Sequence, residues 1–395
     1  NAKLYAIKVL SDEGWGSDSD IIAGIEYAVD PDDNPLTDDG VDIINMSLGG
    51  SGDANDPVAI ATNAAVDAGV IVVVAAGNDG YYGAINESSP ASAAKAITVA
   101  SSTKHDDISY FSSKAILEEN VAIKPEITAP GSDITSSFLD HGTSSLSGTS
   151  MAAPHVAGAI ALLKQVNPTL TAQRAKELLS ASAVDIGLDP LAQGPGRMDI
   201  FATLDVNTVI SETVLNFGVV DKEASIWSKS SLFTVRNLSD VEQTYQLSLS
   251  GNTVELFELT FDKSVIVIPA NAEAQVKATL VINDVANFPS ALNEAGIYHG
   301  DILVSHDSGT NRLPYAFQNS NYLTLTNESH LDAYLQFTDV EQYRYIPPVF
   351  LSANETKKII VQSGSIFIRT EFSGLLPEDY LDNITENALL TGLTV

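Results

Sequence analysis

The chain has 395 residues, of which 51 are acidic and 20 basic, giving a formal charge of −31, and it has no cysteine. The missing thiols exclude disulfides, a cysteine nucleophile and thiolate-bound zinc, while the charge opposes nucleic acid and anionic membranes and suits saline surroundings or calcium. Hydrophobic residues are 44% and charged residues 18%, a globular balance with room for two or three domains, and no apolar run reaches the ~20 residues of a membrane span.

The sequence begins directly on Leu4-Tyr5-Ala6-Ile7-Lys8-Val9-Leu10, which reads as a strand. No leader is visible, and the expectation is that an earlier part has been removed. Ser19 to Val29 reads as a helix, with Ile21, Ile22, Ile25 and Ala28 at three-to-four spacing. Asp42 to Ser47 is a second strand, closed by Leu48-Gly49-Gly50. Val58 to Ala68 is helical, with Gly69 as its stop. Val70 to Ala76 is continuously apolar, as expected of a strand buried on both faces. Met151 to Val166 and Thr171 to Ser180 read as helices separated by Asn167-Pro168. Alternating strands and helices predict a parallel-sheet α/β domain over residues 1–205.

Beyond residue 205 the pattern alternates with period two. Tyr245–Leu249, Val276–Ile282 and Ile302–Val304 read as strands of a β-sandwich over 206–318, fibronectin type III-like or immunoglobulin-like. Tyr322–Leu325 and Ser365–Ile368 suggest a further small or truncated β-domain over 319–395. No repeat is visible in the sequence.

Gly148-Thr149-Ser150-Met151-Ala152-Ala153-Pro154-His155 places a serine at a turn that opens an apolar helix. Unpaired N–H groups and the helix dipole there favour developing negative charge. Ala75-Ala76-Gly77-Asn78 follows a buried strand and offers a neutral amide donor. Ser47-Leu48-Gly49-Gly50 ends another strand, with glycines that admit a second backbone. A Gly-x-Ser-x-Gly elbow is not present, since Ala152 stands two residues after Ser150.

Together these segments resemble the subtilisin-like serine proteases, over about residues 1–205. Lys124-Pro125-Glu126-Ile127-Thr128-Ala129-Pro130-Gly131 and Gly194-Pro195-Gly196-Arg197-Met198-Asp199 also match family wording. The closing segment is most like that of large extracellular members with C-terminal β-domains. Val99–Ser102 runs almost directly into Phe111-Ser112-Ser113, so the insertion many of those relatives carry there is missing. The resemblance implies a secreted or cell-surface endopeptidase acting through an acyl-enzyme. Ser150 would be the nucleophile and Asn78 an oxyanion donor beside the Ser150 N–H. Ser47, Leu48, Gly49, Gly50, Ala75, Ala76, Gly77 and Thr149 would bind a polypeptide substrate by strand addition. Asp79, Tyr81, Tyr82 and Ser88 would wall the nearby pocket.

The family's triad needs an aspartate and a histidine as well. The histidines are His105, His141, His155, His299, His306 and His330, none in the family's Gly-His-Gly-Thr-His context. His155 lies on the nucleophile's own helix, where the geometry aims it away from the hydroxyl. The resemblance therefore puts both missing residues before residue 1, on a removed or separate N-terminal fragment, and leaves this chain inactive alone. The alternative is a non-catalytic binding or adhesion protein on a degenerate protease scaffold. The chemistry requires no cofactor. The acidic loop Asp30–Gly40, with Asp30, Asp32 and Asp38, reads first as a solvated turn; its oxygens suit structural calcium, although Pro35 excludes an EF-hand.

Overall fold

The computed structural model describes residues 2–34, 39–80, 85, 88–115, 117, 123–250, 256–289, 296–319, 321–327, 333–339, 345–361 and 366–372. The first elements are α1 (Asp18–Val29), β1 (Ile43–Met46), β2 (Gly50–Ser51), α2 (Pro57–Asp67), β3 (Ile71–Ala75), β4 (Ser88–Ser89), β5 (Ile97–Ser102) and β6 (Ile127–Pro130). They continue with β7 (Ile134–Ser137), β8 (Thr143–Leu146), α3 (Thr149–Val166), α4 (Ala172–Ala181) and α5 (Pro190–Gln193). Strands β1-β3-β5-β6 form a parallel sheet in that order.

The apolar run of β3 is buried throughout because each face meets a different helical layer. Ile71, Val73 and Ala75 pack into the cluster that holds Ala152, Val156 and Ile160 of α3 and Leu179 of α4. Val72 and Val74 face Ile25 of α1 and Val58, Ala59 and Ala65 of α2. Local chemistry sets the helix ends. Asp56 and Thr171 accept from backbone N–H groups at the starts of α2 and α4. Gly69, at φ +102°, ends α2, and the Val70 N–H returns to the Ala65 carbonyl at 3.1 Å.

Leu4–Leu10 departs from its expected strand. It joins no ladder, and Leu4 and Tyr5 are 94% and 69% exposed. Alternation alone does not make a strand; a hydrogen-bonded neighbour does, and among the described residues β1 pairs with β3 alone. The run packs instead on α1, where a side chain at Gly24 would lie 2.4 Å from Val9 Cγ1.

The later strands are β9 (Thr208–Ile210), β10 (Leu215–Val219), β11 (Trp227–Asn237), β12 (Gln243–Ser250), β13 (Glu258–Phe261), β14 (Val265–Ile268), β15 (Glu273–Ile282), β16 (Ile297–His306) and β17 (Gly309–Gln318). They form two sheets, ordered β10-β17-β16-β12-β14 and β13-β15-β11-β9. Phe233, Val235, Val276 and Leu280 are buried in one sheet, and Tyr245, Leu247, Ile302 and Val304 in the other. The Tyr245 and Thr208 hydroxyls join the sheets at 3.0 Å.

Residues 1–218, 226–283 and 299–317 form one compact unit, which holds the α/β sheet and most of these strands. Within it, buried Glu177 of α4 pairs with Arg174 at 3.0 Å and with Arg236 of β11 at 3.4 Å. Arg312 of β17 pairs with Asp185 at 3.1 Å and Asp301 at 3.0 Å, and donates to the Pro195 carbonyl.

The second unit comprises 219–225, 284–298 and 318–395. Its strands β18 (Asn321–Thr326), β19 (Ala333–Asp339), β20 (Tyr345–Leu351), β21 (Thr356–Val361) and β22 (Ile366–Phe372) form sheets β18-β21 and β20-β19-β22. These pairings repeat β11-β15 and β14-β12-β16, all antiparallel. One motif fixes the equivalence. Asn237, the last residue of β11, donates its amide to the Ile268 and Pro269 carbonyls, and its N–H to Ala272. Asn327, after β18, does the same to Leu351, Ser352 and Glu355. Asn271 and Asn354, just before the next strand, both adopt positive φ, +55° and +63°. The structure thus contains a repeat where the sequence shows none. The signature is two asparagines and a turn, spread over two strands and diluted by neighbours that only need to alternate.

Candidate active site

The residues singled out around Asn78 and Ser150 come together at the carboxyl ends of β1 and β3 and the start of α3. β3 leads into Ala76, whose N–H bonds the Val99 carbonyl at 3.0 Å. Gly77 then turns the chain at φ +104°, where a side chain would sit 2.8 Å from Ser113 Oγ. That turn delivers Asn78 to the helix start. Asn78 Oδ1 accepts from the Thr149 N–H at 2.8 Å and from the Thr149 hydroxyl at 3.0 Å. Thr149 Oγ1 in turn accepts from the Gly77 N–H at 3.2 Å. With its oxygen fully engaged by donors, the Asn78 amide presents its NH₂ as the remaining polar end. Nδ2 lies 3.6 Å from where a side chain on Gly148 would begin, and Gly148 is the cap that precedes Thr149 and Ser150.

Thr149 itself is fully buried, so its contribution to this arrangement is to orient Asn78. Ala75 and Ala76 are also buried, and Gly77 is half-buried. Ser47, Gly49 and Gly50 are exposed and Leu48 is half-buried, while Gly50 and Ser51 pair with Ser89 and Ser88. Ser113 stands in the sequence only as part of the Phe111-Ser112-Ser113 landmark, with no role at the site assigned to it. Its hydroxyl accepts from the Asp79 N–H at 3.1 Å and so holds the same turn from 34 residues away in the chain. Tyr81 and Tyr82 lie outside the described residues.

Ser150 is half-buried, and its hydroxyl donates to the Ser47 carbonyl at 3.3 Å. His155 is exposed, with Nδ1 2.8 Å from the Met151 carbonyl one turn back. That contact turns the imidazole along its own helix, as the helical geometry predicts. His306 bonds Asn311 and Ser308 among the later strands. His330 lies outside the described residues.

In the acidic loop, Asp30, Asp32 and Asp39 bring one carboxylate oxygen each within 4.8 Å of one another. The Asn34 N–H donates to Asp30 at 2.9 Å and to Asp32 at 3.1 Å. Asp38 is outside the described residues, as is Pro35.

Residues 1–212 match the model of the subtilase family. Subtilisin DY of Bacillus licheniformis is 38% identical over 203 residues, covering 51% of this chain and 68% of that protein. The subtilisin-like serine protease Pen ch 18 of Penicillium rubens is 42% identical over 173 residues, 42% of this chain and 33% of its own length. The subtilisin-like serine protease pepC of Aspergillus niger is 37% identical over 209 residues, 50% of this chain and 37% of its own. A solved structure of a cold adapted subtilisin-like serine proteinase is 32% identical, covers 49% of this chain and 63% of that one, and aligns with a TM-score of 0.40. The chain belongs to the subtilase family, a family of serine peptidases. It spans about a third of the length of the fungal relatives. Among the described residues no helix is long and apolar enough to cross a membrane.

Proposed function

We propose that this chain supplies the nucleophile, the oxyanion donors and the substrate edge of a secreted or cell-surface serine endopeptidase. Ser150 Oγ attacks the scissile carbonyl carbon while a base takes its proton. The carbonyl oxygen, now negative, is held by the Asn78 NH₂ and the Ser150 N–H. The tetrahedral adduct collapses to an acyl-enzyme as the proton passes to the leaving amine, and water completes hydrolysis. The substrate backbone lies along Ser47–Gly50 and Ala75–Gly77. The base and its orienting acid come from outside these 395 residues, on an N-terminal fragment, so the chain alone does not turn over. Residues 1–205 carry the chemistry, and 206–318 and 319–395 are accessory β-domains. Calcium in the acidic loop would brace the segment between α1 and β1, with the carboxylates of Asp30 and Asp32 and their neighbours Asp38 and Asp39 as ligands, and takes no part in the reaction.

The observation that carries this reading is the orientation of Asn78. Two donors from Thr149 hold its oxygen, leaving the amine end for a developing oxyanion. A serine-reactive phosphonate tests the proposal in the full-length protein. Labelling at Ser150, lost in Ser150→Ala, is expected; an unlabelled Ser150 overturns it. Asn78→Ala is expected to lower kcat by about 10²–10³, the size known for such a donor in subtilisin itself.

A further inference from the structure

Helix α3 lacks a hydrogen bond at the proposed nucleophile. In a regular helix the Ser150 carbonyl would accept from the N–H four residues later. That position is Pro154, inside the helix, which has no N–H and whose ring crowds the carbonyl it would have served. The donor comes from elsewhere. The Ser47 hydroxyl, just past the end of β1, donates to the Ser150 carbonyl at 2.8 Å. Asn45 Nδ2 in turn donates to Ser47 Oγ at 3.1 Å, which leaves the serine proton to point at that carbonyl. Ser150 returns a second, longer bond, from its own hydroxyl to the Ser47 carbonyl at 3.3 Å.

The two bonds differ in what the chemistry asks of them. The bond from the Ser150 hydroxyl must break before Oγ can attack. The bond from Ser47 reaches only backbone and persists throughout. We propose that the Ser47 side chain is a positioning residue for Ser150, replacing the donor that Pro154 removes and tying the nucleophile's backbone to the strand end that receives substrate. The proposal rests on the reading of Ser150 as nucleophile. It assigns the Ser47 hydroxyl a task separate from the substrate contacts of the Ser47–Gly50 backbone.

The decisive experiment is a double-mutant cycle in the full-length protein, with Ser47→Ala and Pro154→Ala, because alanine at 154 restores the helix's own donor. Ser47→Ala alone is expected to lower kcat roughly three- to tenfold, the rate equivalent of one hydrogen bond, with KM little changed. In the Pro154→Ala background the same substitution is expected to cost less than about twofold. Ser47→Thr, which keeps the hydroxyl, is expected to restore most of the rate. Equal losses in both backgrounds, or a loss confined to KM, overturn the proposal. Thermal unfolding of the same four proteins reads the bond without activity. Ser47→Ala is expected to lower Tm by about 1–3 °C in the wild-type background and by less than that with Pro154→Ala. Additive Tm shifts overturn the clasp itself. Coupled Tm shifts in a protein whose Ser150 never labels leave the clasp standing and overturn the peptidase reading instead.

Discussion

The α/β region and the β regions each hold a buried polar cluster, and the two kinds of cluster differ in charge. Beneath β5 and β6 the first buries ions. Lys124 and Lys176 both donate to Glu126, at 2.6 and 3.1 Å, with all three side chains at most 10% exposed. The Thr98 N–H and the Ala96 carbonyl complete the network at 2.8 and 3.0 Å. The β regions bury neutral amides. Asn237, 1% exposed, satisfies the Val241, Ile268 and Pro269 carbonyls, and Asn327, 6% exposed, satisfies Leu351 and Ser352. An ion network depends on every charge being matched, whereas an amide latch depends only on geometry. The first is therefore exposed to pH, and the second is not.

The largest effect expected from this contrast follows Glu126→Gln. It removes the only counter-charge the two lysines share here and leaves them buried together, at a cost of about 3–5 kcal/mol. Hydrogen exchange of the β3 and β5 amides is the measurement, since it reads this region alone. Unchanged protection would mean that the lysines shed their protons or reach solvent with little penalty.

The pH dependence comes next. Burial pulls Lys124 down from 10.5 to about 8, against the opposing pull of Glu126. Between those values the unfolded chain keeps a proton that the folded chain has released, so this group's contribution to stability rises with pH. Wild type should therefore gain on Lys124→Met by up to about 3 kcal/mol across that window. Glu126 works on the acid side. Burial raises its pKa, but the attraction of Lys124 and Lys176 outweighs that and holds it below 4.5. Its contribution is complete above 4.5 and is lost as pH falls through the folded value, a slope that Glu126→Gln should lack. Asn237→Ala should shift stability by the same amount at every pH.

Removing an amide latch comes third. Asn237→Ala strips three carbonyls of their donor, the buried one of Ile268 among them, and a loss of about 2 kcal/mol is expected from these strands. Trp227, the buried tryptophan of β11, reports its unfolding. Asn327→Ala strips two carbonyls, at about 1–2 kcal/mol, read by hydrogen exchange of β18. A larger loss at Asn327 than at Asn237 would break the equivalence of the two motifs.

These features were unequally legible in the sequence. Periodicity gave α1 to α4 and β3 nearly to the residue, because one face or both had to be apolar. The glycine turn before Asn78 and the helix start at Ser150 were legible because backbone conformations that few residues tolerate leave a residue signature. Leu4–Leu10 was misread because apolar alternation does not reveal whether a neighbouring strand exists. The buried ions were hidden, since Lys124 and Glu126 look like any exposed alternation. So was the Ser47 clasp, whose one trace is a proline four residues after the serine. The repeat was hidden because its invariants are hydrogen bonds to carbonyls, which any residue can supply.

The smallest effect tests that last point most sharply. Asn271 and Asn354 both sit at positive φ, a conformation asparagine and glycine adopt and a Cβ-bearing apolar residue resists. At either position, substitution by glycine should change stability by less than about 0.5 kcal/mol, because relief of strain offsets the greater freedom of the unfolded chain. Substitution by alanine should cost about 1 kcal/mol at both, since alanine keeps the strain without the local hydrogen bonding of the amide side chain. The glycine-minus-alanine difference cancels most of what the two neighbourhoods do not share. If the turns serve one design, that difference should agree at the two sites even where the separate values do not. A difference confined to Asn271 would reduce the likeness of the two β regions to strand order alone.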